Sequence, residues 1–201
     1  MPQQIPNTGA NARTLDTFKS KLLGGGVRPN FFEVELKFPS LAIDDNDVSD
    51  RTRFLVKGAA LPASIIAPIS VPFRGRELKI AGERTFDTWT VTVINDQDFL
   101  IRDAMEAWMQ SIGQYADGSG FTNPSDYMVN AFVKQFKRGK SNVGKNIPTG
   151  SGLEVAATYK FYDIFPTNIA AIDLSYDTSD TIEEFTVEFQ VQYWTPSTEE
   201  A

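Results

Sequence analysis

Four aspartates, Asp44, Asp45, Asp47 and Asp50, fall within seven positions and form the densest set of hard oxygen ligands in the chain. A calcium loop of the EF-hand type needs a glycine at its sixth place and a glutamate at its twelfth. Counted from Asp45 these places hold Asp50 and Val56, and counted from Asp44 they hold Ser49 and Leu55. Residues 39–50 therefore read as an acidic, solvated loop. Gly139-Lys140-Ser141 matches the end of a phosphate-binding loop, but the glycine required five residues earlier is Lys134, and no helical pattern follows. Thr149-Gly150-Ser151-Gly152 precedes a strand pattern where a dinucleotide fingerprint demands a helix. Both are turn material.

The chain of 201 residues contains no cysteine and no histidine. That excludes disulfides, thiolate and imidazole metal sites, and any triad in which histidine carries the proton. No pair of carboxylates sits in a setting that would raise a pKa, so neither an enzyme nor a cofactor is expected. The formal charge is −7, which argues against gripping nucleic acid through its phosphates. The excess is uneven. Residues 1–150 carry 18 basic and 16 acidic side chains, whereas residues 151–201 carry one basic side chain, Lys160, and ten acidic ones. Two basic groups stand out, Arg74, Arg76, Lys79 and Arg84 around a central hairpin, and Lys134, Lys137, Arg138, Lys140 and Lys145 around a glycine-rich loop. Charge on a hairpin guards an edge against uncontrolled pairing or forms half of a subunit contact. With an acidic last quarter in the same chain, subunit-to-subunit complementarity is the better fit.

The elements that position these groups follow from periodicity. Thr14 caps a short helix over Leu15–Leu23, which Gly24-Gly25-Gly26 ends. Phe32, Val34, Leu36 and Phe38 alternate with Glu33, Glu35 and Lys37 in a half-buried strand over 30–38. Strands are expected over 53–60, 65–73 and 77–81, with Arg74-Gly75-Arg76 as the turn of a hairpin. Thr85–Ile94 sets Trp89, Val91 and Val93 against Thr88, Thr90 and Thr92. A helix from about Asp98 to Ile112, capped by Asn95-Asp96, carries Ile101, Met105, Trp108 and Ile112 on one stripe. Further strands are expected over 128–137, 154–165, 169–176 and 182–194. The last pits Phe185, Val187 and Phe189 against Glu184, Thr186 and Glu188. No signal peptide or membrane span is expected. The sum is one β-rich domain over 14–195, with an arm at 1–13 and a loose tail at 196–201.

Several blocks carry a more specific message. Arg28-Pro29-Asn30-Phe31-Phe32-Glu33-Val34-Glu35, Ala60-Leu61-Pro62-Ala63 and Val71-Pro72-Phe73 occur in order. Ala81-Gly82-Glu83-Arg84-Thr85-Phe86-Asp87-Thr88-Trp89-Thr90-Val91-Thr92-Val93-Ile94-Asn95-Asp96 is the longest, followed by the helix with Arg102 and Trp108, then Phe165-Pro166-Thr167-Asn168 and Glu184-Phe185-Thr186-Val187. Together these resemble the tail tube proteins of contractile-tailed, T4-like bacteriophages over residues 28–194. The resemblance implies a β-sandwich or small barrel with a flanking helix. Six copies would form a ring with a shared inner β-barrel, and rings would stack into a tube. It also implies a contractile sheath, a baseplate, a tail terminator and a tape measure protein in the lumen as partners, and DNA passing without specific binding. The protein would be part of the virion, assembled in the host cytoplasm. Arg84, Thr85, Phe86, Trp89 and Trp108 belong to the matching blocks.

Two faces become candidates on this reading. Thr88, Thr90 and Thr92, or Glu184 and Glu188, would line the lumen, since an uncharged or acidic wall does not hold phosphates. Asp44, Asp45 and Asp47 would meet Lys137, Arg138, Lys140 and Lys145 across stacked rings. A related inner tube carrying protein cargo, or a soluble ligand-binding barrel, would share the strand pattern.

Overall fold

Alternation of apolar and polar side chains requires a sheet with one dry face, and a bend in one long strand lets this sheet cover itself. The computed structural model describes residues 15–22, 26–40, 46–137, 154–177 and 179–197. Its elements are α1 (Leu15–Lys21), β1 (Phe32–Leu36), α2 (Asn46–Leu55), β2 (Val56–Ala59), β3 (Ser64–Phe73), β4 (Arg76–Phe86), β5 (Trp89–Ile94), α3 (Leu100–Ile112), α4 (Pro124–Tyr127), β6 (Val129–Phe136), β7 (Val155–Ile169), β8 (Glu184–Gln190) and β9 (Tyr193–Ser197). The sheet runs β1-β6-β7-β8-β5-β2, with β9 also on β7, and every pairing is antiparallel.

Strand β7 serves both halves. Its first part pairs with β6 and β9, and from Phe165 onward it pairs with β8. Between them Asp163 adopts φ 52°, and its N–H is received by Asn130 Oδ1 at 3.2 Å. The turn brings the halves face to face. Trp89 of β5 stacks on Phe161 of β7 with centroids 4.5 Å apart and planes within 8°, and Phe189 lies at 5.5 Å. Val34, Leu36, Ala131 and Val133 close the core from one half, and Val91, Val93, Phe185 and Val187 from the other. Helix α3 seals one side with Ile101, Met105 and Trp108.

Several sequence expectations change. Residues 46–55 are helix, where the aspartates read as loop and Arg53 as the start of a strand. Asp47 favours the helix start and pairs with Arg51 one turn on, while Val48 and Thr52 are buried on the inner side. Thr85 and Phe86 belong to β4, because the chain breaks at Asp87-Thr88 before β5. The strands expected over 154–165 and 169–176 are one strand ending at Ile169, with a register shift at Pro166 absorbing the proline. The final strand splits, because β8 ends at Gln190 and the chain moves across to β7 as β9. Pro196 and Ser197 take part in that pairing, opposite Tyr159 and Thr158. Helix α3 begins at Leu100, whose N–H is received by Asp96 Oδ1 at 3.1 Å, while Phe99 takes φ 54°. Thr14 lies outside the described residues.

Candidate functional site

The largest feature outside the core is a ribbon. Strands β2 and β5 form a ladder that continues, past Ala60–Ala63 and Asp87-Thr88, as β3 and β4. The lower part is clamped in the sheet, while among the described residues β3 pairs only with β4. All ten residues of β3 are exposed, as are nine of the eleven in β4. Ile69, Val71 and Phe73 pair with Ile80, Leu78 and Arg76, so one face is apolar, with Phe73 at 66% and Leu78 at 61% exposure. Pro68, Ser70 and Pro72 pair with Ala81, Lys79 and Glu77 on the other face. Arg74 (φ 45°) and Gly75 (φ 81°) form the two-residue turn that matches strand twist. At Gly82 a register shift bends the ribbon, and a Cβ there would lie 2.5 Å from the Ala67 carbonyl oxygen, so only glycine fits.

The second surface is the outer face of β5 and β8. The register sets Thr90 opposite Glu188, Thr92 opposite Thr186, and Ile94 opposite Glu184. The proposed lumen residues Thr90, Thr92, Glu184 and Glu188 therefore share one face, with Thr90, Thr92 and Glu188 half-buried and Glu184 exposed. Thr88 stands just before the strand and is exposed. Glu184 is held by Lys57 Nζ at 2.5 Å, which sequence reasoning missed because the partners are far apart in the chain.

Of the stacking candidates, Asp47 bonds Arg51 at 3.0 Å and Lys137 pairs with Glu154. Asp44, Asp45, Arg138, Lys140 and Lys145 lie outside the described residues. Arg51 also reaches Asp96 at 2.8 Å and Asp98 at 3.4 Å, tying α2 to the start of α3. The hydrogen bond to Asp96 is the main reason its guanidinium pKa is raised. Among the matching-block residues, Trp89 and Trp108 are fully buried, and Trp108 Nε1 donates to the Tyr127 carbonyl at 2.8 Å. Phe86 meets Trp194 edge-on at 6.0 Å, while Arg84 and Thr85 are exposed on β4.

Among the described residues no group of three or more acidic side chains is placed to hold a metal ion, and no helix is long and apolar enough to cross a membrane. A two-layered β body that throws out an apolar ribbon is the build of a structural assembly protein. A family model described as phage tail tube protein matches residues 27–197. The chain belongs to that family. It is 33% identical over 173 residues to tail tube protein gp19 of Enterobacteria phage T4, covering 85% of this chain and 92% of the relative. It is 27% identical over 182 residues to the tail tube protein of Serratia phage KSP90, covering 88% and 93%. The fold is shared with a chain of the anti-feeding prophage tube-terminating cap, at TM-score 0.57 and 15% identity over 87% of this chain and 92% of that one. It is also shared with a chain of the PVC injection system's sheath-tube complex, at TM-score 0.54 and 12% identity over 89% and 96%.

Proposed function

We propose that copies of this chain close into six-membered rings whose stacking builds the tail tube of a contractile phage, with DNA passing through the lumen and a sheath outside. The observation that supports it best is the ribbon of β3 and β4. Seven large apolar side chains on it are exposed, and among the described residues it pairs with no other strand and meets the body through Phe86 against Trp194 at its base. Such a ribbon is unstable against water unless another surface covers it. A ring in which each copy covers its neighbour's ribbon does so without leaving an edge. The role is structural, without catalysis.

Thr90, Thr92 and Glu188 supply the lumen wall on this reading. Hydroxyls and carboxylates bring no positive charge to neutralise phosphates, so DNA slides instead of sticking. Charge between Asp44, Asp45 and Asp47 of one ring and Lys137, Arg138, Lys140 and Lys145 of the next adds to stacking. The test is negative-stain electron microscopy with sedimentation across a protein concentration series. Rings or stacked tubes with a central hole are expected, and a compact monomer even after addition of preformed baseplates overturns the proposal. Imaging the tubes at side-chain detail then decides the wall, because Glu188 on the outer surface removes it from the lumen.

A further inference from the structure

The two edges of the β3–β4 ribbon are chemically unequal. A two-residue turn with both φ values positive makes Phe73 and Arg76 a pair that exchange their backbone hydrogen bonds. Alternation then makes Val71–Leu78 and Ile69–Ile80 bonded pairs as well. The intervening pairs, Pro72–Glu77, Ser70–Lys79 and Pro68–Ala81, point their backbone groups away from the hairpin. On the outer edge of β3 two of those three positions are proline and have no N–H to give. On the outer edge of β4, Glu77, Lys79 and Ala81 each offer one.

The rest of the sheet shows what the β4 edge lacks. Below the break at Asp87-Thr88, β5 is paired on one side by β2 and on the other by β8. The β2 side continues upward as β3. The β8 side ends at Gln190, and the chain leaves as β9 to join β7, where Trp194 meets Phe86 at the base of β4. Strand β4 thus stands beside the place where the sheet's next strand is missing. The ribbon from 64 to 86 carries Arg74, Arg76, Lys79 and Arg84 against Glu77 and Glu83. Residues 171–197 carry six carboxylates and no cation, so another copy of this chain offers complementary charge.

We propose that the outer edge of β4, residues 77–81, takes a strand from a second copy of this chain, while Pro68 and Pro72 close the edge of β3. The inference rests on the assembly reading above and adds a direction to it. A one-edged connector joins copies head to tail, and two free subunits cannot zip together through their β3 edges.

Ser70 and Lys79 face each other and supply a matched test. Ser70→Pro and Lys79→Pro each delete one outward N–H, and neither removes a hydrogen bond within the hairpin. Lys79→Ala removes the charge and keeps the N–H. In negative-stain images and sedimentation of the full chain, K79P is expected to lose tubes, whereas S70P and K79A assemble as the wild type does. Loss in both proline variants, loss in S70P alone, or assembly of both overturns the inference, and so does failure of K79A. Hydrogen exchange on wild-type tubes gives a reading free of variants. Amides of Glu77, Lys79 and Ala81 should slow by roughly ten-fold or more on assembly while Ser70 does not. Equal protection of Ser70 overturns the inference while leaving the tube intact. A wild-type chain that never assembles overturns the assembly reading itself.

Discussion

Trp89 and Leu78 sit in one continuous ribbon and meet opposite fates. Trp89 is fully buried between Phe161 and Phe189, while Leu78 is 61% exposed. Both come from the same alternation of apolar and polar residues. The alternation fixes which side of a strand is dry, and leaves open whether the cover comes from the same molecule. In the body the bend of β7 brings the cover. On the hairpin no other strand among the described residues brings one, and its apolar face stays exposed.

The contrast is sharpest under truncation. Trp89→Ala should destabilise the body by about 3–5 kcal/mol, read in denaturant unfolding, because it leaves a cavity where two aromatic rings met. A loss below about 1 kcal/mol would mean that the core closes without it. Replacing residues 68–81 by Asn-Gly should change body stability by only about 1 kcal/mol or less while abolishing tubes in electron micrographs. A truncated chain that unfolds would erase the distinction between body and ribbon. Arg51→Met should lower the melting temperature by less than the tryptophan change, since Arg51 and Asp98 are partly in water. The deficit should shrink in high salt, and a salt-independent deficit would point to packing instead.

The smallest effect is expected at Asp117. The hydroxyl and amide of Ser119 hold its carboxyl below the usual carboxylate range. A depressed folded value contributes stability above the ordinary carboxylate pKa, and that contribution fades as pH falls through the depressed one. Asp117→Asn should therefore be slightly less stable at neutral pH and equal to wild type in strong acid. A difference that grows on acidification would reverse the sign.

Much of the body was legible in the sequence because strict alternation at 32–38, 89–94 and 184–189 and the stripe of Ile101, Met105 and Trp108 are local signals. Helix α2 was obscured, because its run of aspartates resembles a loop and its apolar side rests on Val48 and Leu55 alone. The unity of β7 was hidden by Pro166, which a register shift accommodates. For the candidate surfaces, the alternation showed which threonines and glutamates share a face, and the charge on the hairpin was plain. It did not reveal that Thr88 stands outside β5, or that Lys57 reaches Glu184 across 127 positions. The inequality of the two hairpin edges was present in Pro68 and Pro72, but only the pairing register gives it meaning.

Strand β7 has a mechanical consequence. Its backbone passes from one half of the sandwich to the other through Asp163, bonded to β6 and β9 before the bend and to β8 after it. A load that slides the halves past each other runs along covalent bonds and into ladders pulled lengthwise, where many hydrogen bonds must give way together. The subunit is therefore braced against shear between its two halves, since neither half can slide without straining a strand that belongs to both.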